Sequence, residues 1–337
     1  MLKSARRGWR RRGGTWWWGI VVIVVPVAMI AAAAVTALLL FVGGGSPSDR
    51  IELIKTGLTV GAGTGGVVAL VLTGRRQWTT EHDATERRLT DLYLKAVEQL
   101  GSDKAAVRHG GCYALERVAQ DNPGQRQTVV NVLCAYLRTP YTEPVPTRNV
   151  MRRPLVSSRR LGLRPPAVSP PAAEARQERE VRLTVQRVLT DHLNPGRDPK
   201  HPEPTFWTGV DLDLNGATLI EFSLLGCHVA TGDFTGATFV GRAWFDYAEF
   251  ADPVLFTSAT FTSEARFAGA VFRSTAWFDD ATFSGEAQFF GTEFRGGTVF
   301  HRSTFADRAA FDHAGFDRGP DFSTASFTRA PTFGDDD

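Results

Sequence analysis

Residues 237–289 read ATFVGRAWFDYAEFADPVLFTSATFTSEARFAGAVFRSTAWFDDATFSGEAQF. Phenylalanine recurs here at Phe239, Phe245, Phe250, Phe256, Phe261, Phe267, Phe272, Phe278, Phe283 and Phe289, in steps that alternate six and five. Two residues before each stands something compact: Ala237, Ala243, Ala248, Val254, Ala259, Ala265, Ala270, Ala276, Ala281 and Ala287. An 11-residue period can specify a supercoiled helix. At about 100° per residue, however, steps of five and six scatter the rings into two stripes roughly 140° apart. The Gly, Ser and Thr between them, with Pro253, Pro320 and Pro331, also oppose long helices. In extended chain, positions i−2 and i share a side, so Ala and Phe face inward together while the residue between them faces water. Each Ala-x-Phe is then a short strand, and the two or three residues before the next one form a corner.

The register runs on through Phe294, Phe300, Phe305, Phe311, Phe316, Phe322, Phe327 and Phe333, with Thr292, Thr298, Ser303 and Pro320 among the compact residues. Upstream it passes Phe234 and continues at steps of five through Leu214, Leu219, Leu224 and Val229. This pattern, written ATL, GDF, ATF, AWF and AEF, resembles the pentapeptide-repeat family over about 207–333. The resemblance implies a right-handed β-helix with four faces per coil. The departure is the extra residue in every second repeat: four faces then take 22 residues, and the longer corners should stack on two opposite edges. Counting from Leu214 to Phe333 gives 23 faces, close to six coils. Residues 334–337 form an acidic tail that should discourage end-to-end stacking.

Upstream of the repeats the composition changes. Residues 1–209 carry 30 Lys+Arg against 17 Asp+Glu, whereas 210–337 carry 8 against 19, so a basic front half adjoins an acidic back half and the two suit different neighbours. The Ala/Arg/Gly-rich composition resembles that of actinobacterial proteins. After a basic stretch over 1–15, the run IVVIVVPVAMIAAAAVTALLLFV lacks any charge and is long enough to cross a hydrocarbon core of about 30 Å. With Trp16, Trp17 and Trp18 at its start, it predicts a transmembrane helix over 16–42. A cleaved signal peptide is the competing reading, but a second apolar span over 53–73 favours a hairpin. Arg6, Arg7, Arg10, Arg11 and Arg12 precede it and Arg75 and Arg76 follow, which places both termini in the cytoplasm of an inner-membrane protein. Gly57, Gly61, Gly65 and Ala69 recur every four residues in the second span, a ridge that lets another helix approach closely. Gly61, Gly63 and Gly66 also satisfy G-x-G-x-x-G, but no strand precedes them, so helix packing is the better reading.

Between 83 and 139 the apolar spacing predicts three helices, the first with a stripe of Leu89, Leu92, Ala96, Val97 and Leu100. The second is expected to start at Ser102 or Asp103 and to stop near Pro123, and the third to carry Val129, Val132, Leu133 and Tyr136. The pattern resembles a single HEAT or armadillo unit, which needs a neighbour to bury its face. It is either a docking surface or a spacer. An amphipathic helix over 173–193, with Val181, Val185, Val188 and Leu189, is placed to cap the first coil. The segment 140–172 between them holds Arg148, Arg152, Arg153, Arg159, Arg160 and Arg164 with many prolines and reads as a linker. It offers contact to anionic lipid or is simply solvated.

Nothing in the sequence forms a nucleophile, base and orienter. The seven histidines lack ligand spacing, and Cys112, Cys134 and Cys227 lie far apart, so neither a metal nor a cofactor is expected. The leading expectation is a non-enzymatic, membrane-tethered scaffold that presents a rigid rod to a cytoplasmic protein, with no direct nucleic-acid contact. The alternative comes from the resemblance: some soluble relatives are acidic DNA mimics that bind a type II topoisomerase and are linked to quinolone resistance.

Overall fold

The computed structural model describes residues 87–142 and 170–334, together with Met29, Ala33, Thr36, Lys55, Gly66, Ala69 and Thr73, all seven of them helical. The chain divides into two units, Met1–Arg88 and Leu89–Asp337. In the first, the hydroxyl of Thr73 donates to the carbonyl of Ala69 at 2.7 Å, a bond one helical turn back. The expected ridge residues Gly57, Gly61 and Gly65, and the spans 16–42 and 53–73 apart from those seven positions, lie outside the described residues. No helix among the described residues is long and apolar enough to cross a membrane.

The second unit opens with four helices: α1 over 87–100, α2 from Ala105 to Asp121, α3 from Arg126 to Arg138 and α4 from Pro170 to Leu193. Three points correct the sequence reading. Helix α2 starts later than expected, with Lys104 at its N-cap and no side-chain capping bond, while Ser102 instead accepts from the Lys104 amide. Leu92 is exposed rather than part of the α1 stripe, because α1 meets its neighbour along only one narrow strip. That strip buries Ala96 and Leu100, with Leu89, Tyr93 and Val97 beside them at i, i+4 and i+8. Helix α4 begins three residues before the expected 173, and prolines are tolerated in its first turn because their missing N–H has no partner there anyway.

From Leu212 the chain forms twenty strands of two or three residues in four parallel sheets, five, six, four and five strands deep. Partner residues of the first coil are 20 apart on the first two sides, as in Leu212 with Gly232, and 21 apart on the other two, as in His228 with Glu249. They are 22 apart from Gly232 with Val254 onward. The rod therefore has four sides and five complete coils, with three sides of a sixth. The 22-residue step follows from alternating corner lengths. Two-residue corners close as β-turns, for example from the Ala237 amide to the Phe234 carbonyl at 3.0 Å and from Ala248 to Phe245 at 3.0 Å. A turn of this kind can require φ > 0 at its third residue, and Gly236 and Tyr247 sit there at 64° and 55°. Three-residue corners such as Val240-Gly241-Arg242 and Ala251-Asp252-Pro253 follow the second and fourth sides and so lie on opposite edges.

Inside, each Phe stacks on the one a coil later: Phe239 on Phe261 at 4.5 Å and 3°, Phe245 on Phe267 at 4.7 Å and 4°. Rings from adjacent sides meet edge to face, as Phe256 and Phe267 do at 5.7 Å and 86°. Both arrangements suit the ring quadrupole. Hydroxyls in the compact column turn back on the chain: Thr292 donates to the Phe267 carbonyl at 2.8 Å and Ser303 to Phe300 at 2.7 Å. Phe333 is a correction to the expected core. It is 51% exposed, on the last described rung of the third side.

The helical region seals the first coil. Gln186 of α4 donates to the Ile220 carbonyl at 2.7 Å and accepts from the Ile220 amide at 2.9 Å, which completes the unpaired edge as a strand would. Gln127 of α3 makes the same pair of bonds with Asp211, both at 2.9 Å. Thr190 and Asn194 donate to the carbonyls of Ser223 and Leu225. One apolar core runs unbroken from Ala96 to Phe311.

Candidate interaction surface

Because every coil is in register, each side displays one outward residue per coil. The first side stacks Asp213, Asp233, Leu255, Trp277, Val299 and Asp321. The second is a hydroxyl column of Thr218, Thr238, Thr260, Thr282, Thr304 and Ser326. The third carries Ser223, Trp244, Arg266, Gln288, Ala310 and Thr332. The fourth carries His228, Glu249, Val271, Glu293 and Gly315.

Many acids of the back half are answered by arginines about one coil away. Arg273 meets Glu249 at 2.5 Å, Arg302 meets Asp280 at 2.6 Å, Arg266 meets Asp246 at 2.9 Å and Arg329 meets Asp307 at 3.0 Å. The hydrogen bond from Arg273 holds the Glu249 carboxyl below its ordinary range, and the one from Arg302 does the same for Asp280. Exposed pairs of this kind contribute little individually. Their effect is to neutralise carboxylates that would otherwise project as bare charge.

The edge between the third and fourth sides is different. Leu225, Tyr247 and Phe290 stand out from the first, second and fourth corners of this edge at 47%, 69% and 54% exposure. The Tyr247 ring lies over Gly269, where a Cβ would come within 2.8 Å of it. Phe290 meets the His313 ring at 5.3 Å and 82°. The repeat register passes over this ridge, since its residues occupy corners. The available signals were the doubled Phe289-Phe290 and a tyrosine at a position that is glycine in three other coils.

Around the helices, the structure joins residues that sequence reading left apart. Arg182 of α4 is fully buried. It donates to the carbonyls of Leu137 and Thr139 at 2.9 and 2.7 Å, satisfying the C-terminal end of α3, and pairs with Glu178 at 2.9 Å. His192 stacks on Trp207 at 4.0 Å and 6°, with one ring nitrogen 2.9 Å from Glu116. An open hollow of about 1080 Å³ beside α2 and α4 is lined by Lys104, Arg108, His109, Tyr141, Glu178 and others of mixed charge. Burial pushes the thiols of Cys112, Cys134 and Cys227 up to about 12, which suits inert core residues. Among the described residues no His, Cys, Asp and Glu group is arranged to hold a metal.

Residues 245–293 match the family model described as pentapeptide repeats (9 copies). These residues run from the third side of the second coil to the fourth side of the fourth, and the same register extends beyond them in both directions. Comparison with curated proteins and with solved structures returns no match. Fold and surface therefore define a β-solenoid whose central coils match pentapeptide repeats, closed at one end by helices, an architecture suited to protein interaction.

Proposed function

We propose that this chain is a non-enzymatic scaffold whose β-helix presents a fixed array of side chains to a cytoplasmic protein, held at the inner membrane by spans over 16–42 and 53–73. The observation that carries this reading is the single core joining α1 to Phe311. A surface built on stacked rings and sealed at one end holds its side chains at set spacings, and a partner that binds it gains from that preorganisation. The tether rests on the two uncharged or nearly uncharged runs and on the cations flanking them. Fusing a proximity-labelling enzyme after Asp337 of the full chain tests it. Labelled cytoplasmic and membrane-associated proteins are the expected outcome, with the chain in the membrane fraction. Recovery of the chain in the soluble fraction overturns the tether, and topoisomerase subunits as the dominant product replace the scaffold with DNA mimicry. The arginines paired across the coils weigh against mimicry, since they cancel much of the charge that such a surface must display.

A further inference from the structure

The acids of the rod are not evenly answered. On the fourth side Glu249 and Glu293 already hold Arg273 and Arg295, and the hydroxyl column of the second side carries no charge. The first side differs. Arg138 of α3 takes Asp213 at its foot, but Asp233 and Asp321 farther along accept only from the backbone amides of Thr235 and Ser323, at 2.9 and 2.8 Å. Neither meets an arginine or lysine among the described residues, and nor does Asp252, in the corner that leads into Leu255. Between these carboxylates stand Leu255, Trp277 and Val299, half-buried on successive rungs. The indole N–H of Trp277 has no acceptor among the described residues. An indole with a free donor, set among unanswered carboxylates, suits a segment that brings guanidinium groups and prolines to the ring and a carbonyl to the N–H. The rod already makes the ring contact elsewhere, where Arg242 sits over Trp244 at 5.2 Å.

We propose that the arginine- and proline-rich segment 143–169 docks on the first side of its own rod. That segment holds six arginines and five prolines against one acid, Glu143, so its charge complements this side. It leaves and rejoins the helices near the foot of the side, since Thr142 and Glu174 line one hollow and Arg138, four residues before Thr142, holds Asp213 at the first rung. Thr142 lies at most ~13 Å of chain from Arg138, and Trp277 stands three rungs, or ~14 Å, beyond Asp213. Run out and back, the segment reaches ~45 Å, which passes Trp277 and leaves residues to lie across the face. Because it is held at both ends, it meets its own rod at an effective concentration on the order of millimolar, above that of a second copy in solution. The inference rests on the scaffold reading and deepens it, naming the first side as the face of the rod that binds arginine-rich chain.

The test puts a photo-crosslinking benzoylphenylalanine in place of Val299 in the full chain, held in nanodiscs of phosphatidylcholine, with the same group in place of Thr282 on the second side for comparison. Irradiation should join position 299 to residues 143–169 of the same chain, at a yield that does not change with protein concentration and exceeds that from position 282. Replacing the six arginines by serine (R148S, R152S, R153S, R159S, R160S and R164S) should lower the yield by about tenfold, because charge draws the segment in. Asp233→Asn, Asp252→Asn and Asp321→Asn together should do the same without moving the thermal midpoint, since asparagine keeps the acceptor that Thr235 and Ser323 use. A yield that rises with concentration assigns the contact to a second copy, and one indifferent to both variant sets takes charge out of it. Loss of the cross-link when phosphatidylglycerol is added to the nanodiscs assigns the arginines to lipid headgroups. Each of these overturns the proposal. If proximity labelling still returns protein partners in that case, the scaffold reading stands without it.

Discussion

At the scale of the residue, stability rests on two contrasting demands, bulk inside and absence of bulk at the corners. Phe283 is fully buried between Phe261 and Phe305, each 4.7 Å away and nearly parallel. Phe283→Ala should cost about 3–5 kcal/mol, since neighbouring coils are tied by ladder bonds and cannot collapse into the space. Urea unfolding followed by near-ultraviolet dichroism would read this. Adjacent glycines give a sharper comparison. A Cβ on Gly296 would stand 2.3 Å from the Ser274 carbonyl carbon, whereas one on Gly297 meets only the Thr275 side chain, its methyl at 3.5 Å and its hydroxyl at 3.7 Å. Gly296→Ala should therefore destabilise by about 1–3 kcal/mol through forced backbone movement, and Gly297→Ala should change little by the same unfolding measurement. Phe222 is the residue-scale exception. It fills a position where the pattern calls for something small, and packs on Phe234, Phe239 and Phe245 at about 6 Å. The first coil otherwise carries only aliphatic side chains at its register positions, so there is room for one ring.

At the scale of the element, the informative one is α4. It carries the Val181, Val185, Val188 and Leu189 stripe expected of an amphipathic helix, and all four are buried. Its polar residues do as much of the positioning. Gln186 imitates a strand at the Ile220 rung, so Gln186→Met leaves a buried amide and a buried carbonyl without partners. The expected loss is about 1–3 kcal/mol for each group, and hydrogen exchange should show the Ile220 amide opening before those of the central coils. Arg182 binds the end of α3 in the same spirit, with its guanidinium enclosed by carbonyls and Glu178. A helical unit that cannot bury its own face thus finds its neighbour in the first coil, and the coil obtains a lid.

At the scale of the whole molecule, the cross-coil ion pairs give the rod a pH dependence of known sign. Glu249 and Asp280 titrate below their ordinary range in the folded chain, chiefly through hydrogen bonds from Arg273 and Arg302, and Asp321 does so through Ser323. A depressed folded value contributes stability above the unfolded value, roughly pH 4, and loses it as pH falls through the folded value. The thermal midpoint should accordingly be flat from neutrality down to about pH 5 and decline below it. Replacing Arg273 and Arg302 together by Gln should make that decline shallower. A scan of melting temperature against pH for both chains checks this, and an unchanged slope would show that the pairs are incidental.

The repeat determined the rod by itself. Alternating five- and six-residue steps, with a compact residue two before each Phe, are a local rule that repeats whatever the surroundings. The short strands and the buried rings follow from it, because a side chain's direction in extended chain depends only on its neighbours along the sequence; the number of sides came from the resemblance to pentapeptide repeats. The helices were legible for the same reason, by their 3.6-residue stripes. What local pattern could not decide was which helix face meets which coil, why Arg182 and Gln186 are buried, or that Leu225, Tyr247 and Phe290 align. Those facts depend on residues 20 to 45 apart being brought together. The ridge exists only because coils stack in register, so that corners unrelated in sequence become neighbours in space.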